Sequence, residues 1–197
     1  ATTLAFAEVI PPEVNRVALV DFENDSVNTS IAVAKELFMH YLQHVKANAA
    51  DAHKYRLFGI RLDTSSALRD KSVPETGNPH EDNGVNPALV RLVRGGLDNV
   101  WEQWELNDKD AEIAKAYCRS IKIIVSGGFN EEKIRRFENE KVPVDIYAVG
   151  SAAFDNHGPT VTDFTADVVR VKVGEQWIDL AKVGRQANQN PDLKQVW

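Results

Sequence analysis

Cysteine is almost absent: Cys118 is the only one in 197 residues. A lone thiol excludes an intrachain disulfide and a thiolate metal cluster, and it fits a reducing cytoplasm, with Cys118 expected as filler and not as a nucleophile. Long hydrophobic runs are also missing. Nothing approaches the roughly 20 apolar residues that cross a bilayer, and the N-terminus lacks the charged-then-apolar layout of a signal peptide. A soluble, cytoplasmic protein with no membrane partner is expected. Clustered basic charge is lacking as well. With 23 Lys and Arg against 29 Asp and Glu the formal charge is −6, and the basic residues are scattered, which argues against a nucleic-acid binder while leaving small anions possible. An initiator Met is absent too. The chain opens Ala1-Thr-Thr-Leu-Ala-Phe-Ala-Glu8 as if a helix were under way, which reads like a cut end.

What is present is the balance of a globular domain. Apolar residues make up 43% and charged residues 26%, so residues 1–197 are expected to form one domain with its own core. Val17-Ala-Leu-Val20 is a short strand-like run ending at Asp21. A helix follows, with Thr29 or Ser30 as cap and one apolar face of Ile31, Ala34, Leu37, Phe38, Tyr41, Leu42 and Val45. Asp25 is the other candidate for serving its start. Tyr55-Arg-Leu-Phe-Gly-Ile60 is the second strand and delivers Arg61 and Asp63 to its far end. Residues 65–86 are a long loop broken by Val73-Pro74, Gly77-Asn-Pro79 and Asp82-Asn-Gly84, of a length often used for functional lids. Asn86-Pro87 pairs a cap with a first-turn proline and predicts a helix continuing towards Trp104. Asp108 is the expected cap of a helix through Tyr117.

Ile121-Lys-Ile-Ile-Val125 predicts a third strand, followed by Ser126-Gly127-Gly128 and a helix capped by Asn130 with Glu131 and Glu132 in its first turn. Val144-Asp-Ile-Tyr-Ala-Val149 predicts a fourth, with the Gly150-Ser151 turn after it. A β-hairpin about Gly174-Glu175 is expected to close the chain. Alternating strands and helices with short connections imply an α/β fold with parallel strands, either an open sheet or part of a barrel, since a closed barrel commonly needs about eight strands.

Every chemically suggestive residue falls just after a strand, the edge where parallel α/β folds bind ligands. One glycine turn is commonly only a tight connection. Two in succession, Gly127-Gly128 and Gly150-Ser151, offer backbone N–H groups at helix starts as a phosphate cradle. Asp21 and Asp63 end neighbouring strands and can converge on one ligand. Two carboxylates suit ribose hydroxyls and a Mg²⁺ that keeps most of its waters, although either alone also reads as a cap or a salt bridge. His40, His44, His53, His80 and His157 show no ligand spacing with acidic partners. The site is expected to work by electrostatics and not by covalent catalysis.

Six segments in order, Ala18-Leu-Val-Asp-Phe-Glu-Asn-Asp25, Gly59-Ile-Arg-Leu-Asp-Thr64, Gly84-Val-Asn-Pro87, Ile124-Val-Ser-Gly-Gly-Phe129, Val144-Asp-Ile-Tyr-Ala-Val-Gly-Ser151 and Thr162-Asp-Phe-Thr-Ala-Asp-Val168, together with Lys182-Val-Gly-Arg185 and Asn190-Pro191, resemble nicotinate phosphoribosyltransferase. The resemblance implies part of an irregular α/β barrel of the type II phosphoribosyltransferase kind, acting as a homodimer with a shared site. It implies the reaction of nicotinate with phosphoribosyl pyrophosphate to give nicotinate mononucleotide and pyrophosphate, with Mg²⁺ and often ATP hydrolysis. Position by position it implies that Asp21 and Asp63 face the ribose and the metal-bound pyrophosphate. It further implies that Arg61 pairs with phosphate or pyrophosphate, and that Gly127, Gly128, Gly150 and Ser151 hold the 5′-phosphate, with Thr64 and Ser126 as secondary contacts. Arg61 alternatively makes an outer salt bridge. The family's N-terminal domain, catalytic histidine motif and base-contacting glycine segment precede the stretch matching Ala1, so a missing half, as another segment or another chain, is expected. A nicotinamide or quinolinate enzyme, and a non-catalytic subunit binding phosphoribosyl pyrophosphate, are the alternatives.

Overall fold

A computed structural model describes residues 1–154 and 166–186; His157, Thr162–Thr165 and Asn190-Pro191 lie outside them. Helix α1 (Thr2–Val9) leads into strand β1 (Arg16–Leu19), then α2 (Ser26–Lys46), a 3-10 turn at Ala52–Tyr55, β2 (Leu57–Leu62), the short α3 (Pro79–Asp82), α4 (Pro87–Asn99), a 3-10 turn at Val100–Gln103, and α5 (Asp108–Ser120). Strand β3 (Lys122–Val125), α6 (Glu131–Asn139), β4 (Ile146–Tyr147), the one-turn α7 (Ser151–Phe154) and the hairpin β5 (Arg170–Val173) and β6 (Gln176–Asp179) complete the described chain.

The sheet order is β1-β2-β3-β4, all parallel. The fold is therefore mixed α/β, as alternation of the elements predicts. Its C-terminal edge is level: Leu19 pairs with Arg61, Leu62 with Val125, and Val125 with Tyr147. The segments after β1, β2 and β3 thus leave the sheet side by side.

The two faces of the sheet differ. Ala18, Val20, Ile60, Leu62, Ile123 and Val125 are buried in the core with Leu37, Phe38, Leu89, Val93, Ala114 and Tyr117 of the helices. Phe38 stacks on Trp104 at 5.1 Å and meets Tyr117 edge-on at 5.3 Å, fastening α2 to the α4–α5 region. Side chains alternate along a strand, so Val17, Leu19, Arg61 and Ile146 face the other way. These four are exposed, whereas Gly59 and Ile124 on the same face are buried, so this face is covered at its centre and open towards its edges.

Several local expectations shift. Asp25, not Thr29 or Ser30, caps α2; its carboxylate accepts from Asn28 N at 3.4 Å. Ser30 instead turns its hydroxyl back onto the Ser26 carbonyl at 2.6 Å, inside the helix, a common use of serine there. Likewise Asn107, not Asp108, caps α5. The Asn86 cap holds: its Oδ1 accepts from Leu89 N at 2.8 Å and its Nδ2 donates to the Asp82 carbonyl at 2.8 Å. The fourth strand is only two residues long, where six are expected. The hairpin turns at Gly174-Glu175, with Gly174 at φ 62°.

The long loop after β2 is fastened from within. Asp70, fully buried, accepts from the backbone and hydroxyl of Ser26 and from Ser72 N. Asp82 accepts from the backbone and hydroxyl of Thr76 and from Gly77 N, and these bonds hold its carboxyl below the usual range. Arg69 bridges to Asn83.

Candidate functional site

The strand-end residues Asp21, Arg61, Asp63 and Ser126 come together. Arg61 is the penultimate residue of β2 rather than beyond it. Asp63 follows two residues on, and two residues in extended chain return to the same face. Arg61 Nε donates to Ser126 Oγ at 2.8 Å, and Ser126 Oγ donates to Asp63 Oδ1 at 2.9 Å; its distance to the Leu62 carbonyl is 3.0 Å. The guanidinium lies 3.5 Å from Asp63 Oδ2. Ser126 is thus a buried relay that orients both charged groups. With Arg61 and Asp63 partly exposed, this pair adds little stability. What it fixes is the direction of a cation and an anion at the mouth of the sheet.

Asp21 sits at the neighbouring strand end and is 2% exposed. Among the described residues its Oδ1 has no hydrogen-bond partner, and Oδ2 is met by an ammonium. The charge set against it is Lys182, whose Nζ contacts Oδ2 and also donates to the Asp63 backbone carbonyl at 3.1 Å. The two carboxylate residues are therefore linked through one ammonium. Lys182 lies 119 residues from Asp63 in sequence, and no local pattern marks it as part of the site.

Gly127 and Gly128 both have positive φ, 88° and 67°, a backbone that glycine adopts without a steric penalty. Their surroundings differ. A Cβ on Gly127 would lie 3.3 Å from Asp63 Oδ1, whereas one on Gly128 would meet nothing within 4 Å. The first glycine gives the carboxylate its room, and the second leaves the turn open to an incoming group. Asn130 then caps α6, accepting from Lys133 N at 2.9 Å as expected.

A cleft of about 380 Å³ opens between this turn and the loop after β2, lined among others by Thr64, Asn83, Gly127, Gly128, Lys133 and Arg136. Thr64 is 3% exposed and its Oγ1 has no hydrogen-bond partner among the described residues. Lys133 donates to the Gly127 carbonyl at 3.2 Å and lies 4.3 Å from the centre of the Phe129 ring. Burial, with Arg136 nearby, lowers its pKa. Lys133 is a second residue the sequence reading missed; its signal was a lysine in the first turn of a helix opening on a glycine pair. Gly150 and Ser151 are exposed at the end of β4, and among the described residues they do not line this cleft. Of the residues expected at the site, the cleft is thus lined by Thr64, Gly127 and Gly128, while Asp21, Arg61, Asp63 and Ser126, like Gly150 and Ser151, lie outside its lining.

Of the histidines, His80 lines the cleft, whereas His40 and His44 lie on α2, outside its lining. His44 Nδ1 lies 3.0 Å from Asp51 Oδ1, and His40 and His44 pack on Tyr55. Among the described residues no group of three or more His, Cys, Asp or Glu is placed to hold a metal ion. A dedicated protein cage is therefore not what this edge offers. A Mg²⁺ carried with a pyrophosphate fits better, since such an ion takes one or two carboxylates and keeps phosphate and water oxygens, and Asp21 Oδ1 has no hydrogen-bond partner among the described residues, while Oδ2 is already met by Lys182. No described helix is long and apolar enough to cross a membrane. No family model matches the chain, and neither a curated protein nor a solved structure matches it.

Proposed function

We propose that this chain is the ribose- and phosphate-holding portion of a nicotinate phosphoribosyltransferase. Nicotinate and phosphoribosyl pyrophosphate would give nicotinate mononucleotide and pyrophosphate, with ATP as a coupled co-substrate. The observation that carries the reading is the clustering of Asp21, Arg61, Asp63 and Ser126 on one strand-end edge beside the open Gly127-Gly128 turn. In this reading the less covered face of the four-stranded sheet is the inside of an irregular α/β barrel whose other strands belong to the missing N-terminal half. A homodimer of the completed enzyme follows from the same family resemblance.

The chemistry asked of these groups is electrostatic. Departure of pyrophosphate leaves positive charge on the ribose, which a fixed carboxylate stabilises more than it stabilises the neutral sugar. Asp63, oriented by Ser126 and Arg61, is the group for that role. Arg61 is directed at the anionic end of the same substrate, where a planar guanidinium suits phosphate oxygens. Bound Mg²⁺ would supply neutralisation of the leaving pyrophosphate, with Asp21 and Asp63 as its protein-side anions. The Gly127 and Gly128 N–H groups, with Thr64 Oγ1 at hand, are assigned to the 5′-phosphate; a contact from Gly150 and Ser151 rests on the family resemblance alone. The assignment to nicotinate over nicotinamide or quinolinate rests on the family resemblance alone.

The test is release of pyrophosphate from phosphoribosyl pyrophosphate by the enzyme in which this chain is joined or paired with its N-terminal half, with each of the three bases in turn. Nicotinate-dependent release that falls at least about 100-fold in Asp63→Ala is expected, the scale of losing one transition-state electrostatic contact. Full turnover in that variant contradicts the role of Asp63. Base-dependent release with nicotinamide or quinolinate alone reassigns the substrate. If no base supports release yet phosphoribosyl pyrophosphate binds, the chain serves as a binding subunit.

A further inference from the structure

Two cations line the cleft beside the glycine turn, Lys133 and Arg136, and they stand in opposite conditions. Arg136 is saturated: it pairs with Glu140 just past α6 and with Glu81 of α3, and these bonds raise its pKa. Lys133 has no such partner. Burial and the nearby Arg136 lower its pKa, and no carboxylate among the described residues offsets them. Its ammonium is held in place all the same, donating to the Gly127 carbonyl at 3.2 Å and lying 4.3 Å from the centre of the Phe129 ring. These contacts fix its position without supplying a negative charge. Partial desolvation of an ammonium is costly where no counter-charge stands beside it, and an ammonium bonded to one carbonyl keeps further N–H donors. The charge it lacks is that of an anion from outside.

The surroundings of Lys133 suit such an anion. Helix α6 opens on Asn130, whose side chain accepts from Lys133 N, so the N–H groups ahead of it stand at a helix start, where an anion is favoured. Of the acidic residues there, Glu131 is taken up by Arg135, and Glu132 is exposed, where solvent and salt screen its charge. Thr64 lines the same cleft, is 3% exposed, and keeps an Oγ1 with no hydrogen-bond partner among the described residues. A buried hydroxyl without a partner is uncommon, and here it is a donor left for a ligand. Gly128, at φ 67° and with nothing within 4 Å of a notional Cβ, leaves the turn open. We propose that Lys133 is the counter-charge of a phosphate monoester bound in this cleft, with the Gly127-Gly128 turn, the first turn of α6 and the Thr64 hydroxyl as its uncharged donors. A phosphate monoester brings nearly two negative charges and several acceptor oxygens, enough to engage an ammonium, a hydroxyl and backbone N–H groups together. The site is the one assigned above to the 5′-phosphate, and the sugar attached to that phosphate rests on that reading; the need of Lys133 for an anion does not.

The experiment is isothermal titration of the full chain with ribose 5-phosphate and, separately, with inorganic phosphate, for the unaltered protein, Lys133→Gln, Lys133→Arg and Gly128→Val. Urea unfolding of each variant shows that the fold is kept. Lys133→Gln retains a donor for the Gly127 carbonyl and loses the charge, so it separates anion binding from support of the turn. It should bind both probes about tenfold or more weakly, on the scale of one charge-assisted hydrogen bond, while Lys133→Arg stays near the unaltered protein. Equal binding by Lys133→Gln and the unaltered protein assigns the lysine to holding the turn and overturns the proposal, as does absence of binding of both probes to the unaltered chain. The two readings fail separately. Ribose 5-phosphate binding that weakens in Gly128→Val and is unchanged in Lys133→Gln leaves the phosphoribosyl reading standing without this role for Lys133. Inorganic phosphate bound as tightly as ribose 5-phosphate, with the loss in Lys133→Gln, leaves Lys133 as the cation of a phosphate site that does not read the sugar.

Discussion

At the scale of single residues, Gly127 shows how tightly the site is specified. Its positive φ and the 3.3 Å separation between a notional Cβ and Asp63 Oδ1 act against any side chain. Gly127→Ala is expected to lose about 1–2 kcal/mol of stability from the left-handed backbone, read by urea unfolding. It should also weaken ribose 5-phosphate binding by pushing Asp63 off Ser126; unchanged affinity would show that the carboxylate's position is immaterial. Cys118 makes the opposite case. It is fully buried, and burial pushes its thiol up to about 12, so thiolate is scarce at neutral pH. The native protein should resist iodoacetamide at pH 8 and react stoichiometrically once unfolded in urea, as mass spectrometry would record. Rapid native alkylation would contradict the buried placement and reopen a nucleophilic role.

At the scale of elements, legibility followed the range of the physics. Asn86-Pro87 and Asn130 were readable as caps because the side chain, the helix start and the acceptor geometry lie within three residues. Asn86→Ala removes both a cap and a buried partner of the Asp82 carbonyl, and is expected to lower stability by about 1–2 kcal/mol in thermal or urea unfolding. A loss below about 0.3 kcal/mol would place the start of α4 under the control of packing alone. The apolar periodicity beginning with Ile31 points to Thr29 or Ser30 as the cap, with Asp25 as the other candidate; α2 starts at Ser26 behind the Asp25 cap, where Asp70 from the loop after β2 receives the Ser26 backbone and hydroxyl. That anchor is 44 residues away and leaves no local trace. The short β4 was over-read for a related reason. Val144 to Val149 has the composition of a strand, and Asp145 N and Ala148 N do donate to the Ile123 and Val125 carbonyls at 2.9 and 2.8 Å, but the Asp145 carboxylate takes Ile123 N at 2.8 Å and Lys122, and regular pairing is confined to Ile146 and Tyr147.

At the scale of the whole molecule, the sheet has one face packed under helices and one face covered only at its centre. Leu19 at 53%, Val17 at 41% and Ile146 at 38% exposure are apolar residues turned to the same side as Arg61. Parallel sheets ordinarily bury both faces; among the described residues β1 and β4 are the edges of this sheet, and the proposed barrel would cover the exposed residues of this face. The alternation of elements announced the parallel order, and the polar residues at the strand ends announced the edge where Arg61, Asp63 and Ser126 meet. Lys182 and Lys133 stayed hidden because their partners are set by the tertiary arrangement. The hairpin of β5 and β6 was legible from Gly174, while its service to the site, delivering Lys182 to Asp21, was not.

The central claim is that the edge at Asp21, Arg61, Asp63 and the Gly127-Gly128 turn holds a phosphorylated ribose. Isothermal titration of the full chain with ribose 5-phosphate in Mg²⁺ tests it most directly, with Gly128→Val beside the unaltered protein because a side chain at Gly128 projects into open space and not into the core. Saturable one-to-one binding that weakens about tenfold or more in Gly128→Val is the predicted result, on the scale of losing one charge-assisted hydrogen bond. No binding to the unaltered chain, or equal binding by both proteins, would contradict it.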